Sequence, residues 1–96
     1  MIKVIIERQA KAGEDLSPQL RELRAAAIRY LGYVTGETLV NTQDSSNIVT
    51  ISIWRSLENW RQWEGSETRA KLYQQVESFL LEKPKVRTYH IVATGD

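Results

Sequence analysis

The chain has 96 residues, 42% of them hydrophobic and 26% charged, the composition of a single globular domain (1–96) rather than a disordered segment. Thirteen Lys and Arg against twelve Asp and Glu leave a net charge of +1, too weak a field to imply a nucleic-acid or anionic-membrane partner. Cysteine is absent and histidine occurs once, which excludes disulfides, thiolate sites and a Cys nucleophile and makes structural zinc unexpected.

The opening Met-Ile-Lys-Val-Ile-Ile-Glu-Arg has too short an apolar run, with charges on both sides, for a signal peptide or a membrane span. A soluble, cytoplasmic protein is expected. Residues 2–9 alternate Ile2, Val4 and Ile6 against Lys3, Ile5 and Glu7, the period of a strand with one buried face. Ser17-Pro18 predicts a helix start, with Ser17 as cap and Pro18 where no N–H bond is required. The stripe Leu20, Leu23, Ala27, Tyr30 and Leu31 carries that helix to about Leu31, and Gly32 ends it. Residues 33–42 and 47–55 are two β-rich runs joined by the turn formers Gln43-Asp44-Ser45-Ser46. In the second run Val49, Ile51 and Ile53 form an apolar face, whereas Ile48, Thr50, Ser52 and Trp54 form a mixed one suited to an interface or a pocket. Ser56 predicts the cap of a short helical turn through Trp63, and Ser66 the cap of a longer helix that Pro84 stops. Lys85–Ala93 alternates as a last strand.

The order βαββαβ predicts an α+β, ferredoxin-like domain: a four-stranded antiparallel sheet with both crossover helices on one face. The other face is then uncovered. It is expected to carry Ile5, Ile48 and Trp54, with Val86 or Val92, a patch that a second copy would cover about a two-fold axis. A homodimer is therefore expected.

The run Ile51-Ser-Ile-Trp54-Arg-Ser-Leu-Glu-Asn59-Trp60-Arg-Gln-Trp63 resembles the antibiotic biosynthesis monooxygenase superfamily, in which a strand ending in Trp leads through a Ser-capped turn to a second Trp. Gly32-Tyr33-Val34-x-Gly36-Glu37 and Thr88-Tyr89-His90 are also similar to family members. The resemblance implies a dimeric α/β barrel. Its activities include cofactor-independent oxygenation of anthrones or quinols and haem degradation, and fold alone does not choose between them. The haem-degrading pattern of Asn, Trp and His corresponds here to Glu7, Trp63 and Tyr73, so haem degradation is not expected. The anthrone-type pattern is met at Asn59 and Trp63, while its neighbouring Tyr reads as Arg69.

The resemblance thus implies a monooxygenase that acts on a small quinol- or anthrone-like aromatic without cofactor or metal. A flat ring would stack on Trp63, Asn59 would donate to an oxyanion, Tyr73 would add a hydrogen bond, and His90 or a buried Glu7 would be the base. Each residue also has a purely structural role available to it. Trp63 and Tyr73 would pack the core, Asn59 would cap or face water, His90 would line the dimer interface, and Glu7 would be solvated or ion-paired there. The alternative function is a non-catalytic dimer that binds a small apolar ligand or serves as a stress-responsive domain. A cavity reached by Trp63 and a polar group separates the two, favouring the enzyme, whereas a solid interior favours the alternative.

Overall fold

In a computed structural model that describes residues 1–95, the chain forms β1 (Ile2–Gln9), α1 (Ser17–Ala27), β2 (Tyr33–Val40), β3 (Asn47–Trp54), α2 (Leu57–Glu64), α3 (Glu67–Glu77) and β4 (Lys85–His90). The strands make one antiparallel sheet in the order β2-β3-β1-β4. This is the expected βαββαβ arrangement, with α2 and α3 together forming the second crossover. Among the described residues no helix is long and apolar enough to cross a membrane.

Element ends differ from the sequence reading where local hydrogen bonds compete with continuation. Ser17 does not cap α1; instead the Asp15 carboxylate accepts the Ser17 N–H at 2.9 Å. The helix stops at Ala27, because the N–H groups of Arg29 and Tyr30 bond three residues back to Ala26 and Ala27 and tighten the chain. Gly32, at φ +90°, then turns it into β2. β2 ends at Val40 because the Asn41 side chain accepts the N–H groups of Gln43 and Asp44, an Asx turn. α3 ends at Glu77, well before Pro84, since Phe79 and Leu80 are drawn to the end of β1: Lys11 N–H bonds Phe79 O at 2.8 Å and Leu80 pairs with Ala10. β4 closes at His90, where β1 runs out of partners at Ile2.

The sheet face assignment needs a larger correction. Ile48 and Trp54 are not on the open face; they lie in the core beneath the helices, with Trp54 only 1% exposed. The pairings Ile2 with Trp54, Val4 with Ser52 and Arg8 with Ile48 are the reason, because directly opposed residues of an antiparallel pair share a face. Once Ile2, Val4 and Ile6 turn inward, the parity of β3 is set. Val86 pairs with Ile6 and so also belongs to the helix side, while Val92 lies beyond β4 and is exposed. The open face instead carries Ile5 with Val49, Ile51 and Ile53, all half-buried, beside exposed Glu37, Leu39, Arg87 and Tyr89. Leu16, Val4, Val76, Trp54 and Trp60 anchor the core. Burial of each such apolar side chain contributes roughly 1.5–3 kcal/mol.

Candidate active site

A cavity lies between the helices and the β2-β3-β1 part of the sheet. Its floor is Ile6 and Arg8 of β1 with Thr50, Ser52 and Trp54 of β3; α1 adds Leu20 and Leu23, α2 adds Trp60 and Trp63, and α3 adds Arg69. Tyr33, Gly36 and Thr38 of β2 close one side. The space leaves about 60 Å³ to the centres of water-sized molecules, within about 530 Å³ free of atoms that includes the open mouth. All three tryptophans of the chain line it.

Short-range bonds aim these side chains. Ser56 Oγ accepts the Asn59 N–H at 3.1 Å and starts α2, whose Trp60 and Trp63, one turn apart, face the same way. Ser66 Oγ accepts the Arg69 N–H at 3.1 Å and donates to Trp63 O at 2.8 Å, so one hydroxyl links the end of α2 to the start of α3. That link sets Trp63 and Arg69 beside the same cavity. Aromatic edges brace the wall: Tyr33 meets Trp54 at 5.3 Å, Trp54 meets Trp60 at 5.7 Å, and Tyr30 meets Trp63 at 4.8 Å between centroids. Gly36 makes room for the Tyr33 hydroxyl, because a Cβ there would come within 2.8 Å of it and 3.2 Å of Ile51 O.

The electrostatics centre on Arg8, which is only 3% exposed. Its NH1 donates to Thr50 Oγ1 at 3.0 Å, its Nε finds no acceptor, and among the described residues it makes no ion pair. Burial above all, and then the like charge of Arg69, bring its pKa down to about 10, against a smaller opposing pull from Tyr73. It stays ionised at neutral pH. The Arg69 guanidinium lies 5.8 Å over the Trp60 ring and 5.6 Å over the Tyr73 ring; burial lowers its pKa, opposed by Glu64 and Tyr73. The Tyr33 hydroxyl and the Trp60 indole N–H are buried without a hydrogen-bond partner among the described residues. Exposed Arg24 stands at the mouth, whereas Glu37, paired with Ile51, faces the open side of the sheet. Among the described residues no group of three or more His, Asp or Glu side chains is placed to hold a metal ion.

No protein-family profile and no curated relative matches the chain by sequence. Solved structures do match. An antibiotic biosynthesis monooxygenase superposes with a TM-score of 0.86 at 19% identity, over 97% of this chain and all of that one. This chain has that monooxygenase fold. SnoaB of Streptomyces nogalater, a cofactor-independent oxygenase, matches with a TM-score of 0.84 at 13% identity, over 97% of this chain and 95% of its own. Protein PA3566 of Pseudomonas aeruginosa matches at 0.81 and 21% identity, over 96% and 94%.

Within the antibiotic biosynthesis monooxygenase fold, Trp63 is the one sequence candidate that lines the cavity. Asn59 is half-buried behind it, where its side chain accepts from the Ser56 hydroxyl at 2.9 Å and abuts Gly32. Tyr73 lies beneath Arg69 and packs on the core; burial raises its pKa first, Glu77 adds to this, and Arg8 and Arg69 oppose it. His90 is exposed on the edge strand β4, across from Ile2 and away from the cavity. Glu7 is not buried in the site either: it points to the open face, where Asn47 Nδ2 donates to it at 3.1 Å and Arg87 lies 4.0 Å away.

Sequence reasoning missed Arg8, Arg69 as a wall residue, and Tyr33. The signal for Arg8 was present: it shares parity with Ile2, Val4 and Ile6 and so belongs to the buried face of β1.

Proposed function

We propose that this protein is an oxygenase of small electron-rich aromatic compounds that works without metal or organic cofactor. The observation that carries this reading is the cavity itself, an aromatic-walled space reached by Trp63, two guanidinium groups and two unpartnered donors. A solid interior would have favoured the non-catalytic alternative. The shared fold of SnoaB supports the chemistry without assigning any residue here.

A phenolate or enolate ring gives an electron to O₂ directly; one oxygen atom then bonds to a ring carbon and the other leaves as water with two hydrogens from the substrate, which supplies all four electrons and ends as a quinone. The protein has to bind the flat ring, favour its ionised form and keep solvent out. In this reading the ring lies against Trp63, and the positive charges of Arg8 and Arg69 favour loss of its hydroxyl proton. The Tyr33 hydroxyl and the Trp60 N–H serve its oxygen substituents. Asn59 and Tyr73 act one step back, the first by holding the start of α2 and the second by supporting Arg69. We also propose that the working form is a homodimer joined through the open sheet face at Ile5, Val49, Ile51 and Ile53, an apolar row that a small domain does not otherwise leave in water.

Oxygen uptake with menadiol, anthrone and catechol-type phenols, in chelator and catalase, tests the activity. Enzyme-dependent consumption that falls in Trp63→Ala is expected; uptake at the uncatalysed rate with every compound would refute it.

A further inference from the structure

We propose that the ligand of this cavity is an aromatic carboxylate, and that Arg8 is the group that recognises its charge. The inference names a substrate class for the oxygenase reading and rests on it for calling the ligand a substrate. Buried charges are normally paired, because an isolated ion in a low-dielectric interior is costly. Arg8 is buried, and its one side-chain hydrogen bond among the described residues is to a neutral hydroxyl. Among the described residues no acid pairs with it. Glu7, its neighbour in sequence, faces the opposite side of the sheet. Glu37, paired with Ile51, is exposed on that opposite side too, and Glu64 serves Arg61 at 3.8 Å and lies toward Arg69. The charge that acts most strongly on Arg8, that of Arg69, has the same sign.

The counter-ion is therefore left to the ligand. A guanidinium fork matches the two oxygens of a carboxylate. The cavity leaves about 60 Å³ to the centres of water-sized molecules, several times the ~10–15 Å³ that one water needs on that measure, so a small planar two-oxygen head fits. The walls beyond it are Trp60, Trp63, Leu20 and Leu23, so the rest of the ligand is flat and apolar.

Tryptophan fluorescence provides the assay, since every tryptophan lines the cavity. Gentisate, its neutral isostere gentisamide, and hydroquinone are titrated at low salt into wild type, Arg8→Met and Arg8→Gln. Wild type is expected to bind gentisate about tenfold or more tighter than gentisamide, the least that a hydrogen bond to a charged group contributes. Both variants should lose that preference. Equal affinity for the two compounds in wild type would overturn the proposal, and this needs no variant to fold. A preference that survives in a folded Arg8 variant would also overturn it. Oxygen uptake separates the two readings: preferential gentisate binding without oxygen consumption upholds the anion site and overturns the oxygenase, whereas hydroquinone turnover without gentisate binding does the reverse.

Discussion

Replacing Arg8 with Met should make the protein more stable, the opposite of the usual result of altering a residue that is 3% exposed. Burial and the nearby Arg69 lower the Arg8 pKa from the ordinary arginine value to about 10, so the folded state disfavours the charged form by roughly 3 kcal/mol. Against this stands the bond from NH1 to Thr50 Oγ1, which contributes about 1 kcal/mol. Methionine fills much of the volume of the arginine stem and adapts to irregular space. The net gain is then about 1–2 kcal/mol, or a rise in Tm of roughly 4–15 °C for a domain of this size. Urea unfolding at neutral pH, followed by tryptophan fluorescence, measures it. The sign of the pH dependence follows from the lowered pKa. Below about pH 10 Arg8 is charged in both folded and unfolded chains, so the penalty is fully present and the advantage of the variant is constant. Above it the folded protein releases the proton first, the penalty is relieved, and the gap closes. A variant less stable than wild type by about 1 kcal/mol or more would show that Arg8 has a compensating charge within the protein, and the anion site proposed at Arg8 would fall with it.

Trp63→Phe should lower ligand affinity or turnover more than it lowers stability, whereas Val76→Ala, fully buried and outside the cavity wall, should cost about 2 kcal/mol and leave affinity per folded molecule unchanged. Wild-type affinity in Trp63→Phe with a clearly lower Tm would assign Trp63 to packing alone. Asp15→Ala should destabilise the start of α1 by removing the acceptor of the Ser17 N–H. The hydrogen bonds from Ser17 hold the Asp15 pKa below its ordinary value, so the difference from wild type should be present at neutral pH and vanish as pH falls through that lowered value; a difference that persists in strong acid would contradict this. Ile51→Lys puts a charge in the middle of the open face, opposite Ile5, and should turn a dimer into a folded monomer in sedimentation at micromolar concentration. An unchanged sedimentation coefficient would place the interface elsewhere.

Local chemistry in the sequence determined the order of the elements, the Gln43–Ser46 turn, the capping of α2 and α3 by Ser56 and Ser66, and the shared facing of Trp60 and Trp63, because each depends on residues close to one another in the chain. The face of β3 was a different matter. Alternation separates Ile48, Thr50, Ser52 and Trp54 from Val49, Ile51 and Ile53 but carries no label for inward, and with apolar residues on both sides only the pairing with β1 decides. The end of α3 likewise depended on a contact made elsewhere in the chain, Leu80 on Ala10. Arg8 shows the division most sharply. Its parity on a strand of alternating isoleucine and valine could be read in the sequence, but its lack of a counter-ion is a property of everything packed around it, drawn from β1, β3 and α3, and no stretch of sequence contains that information.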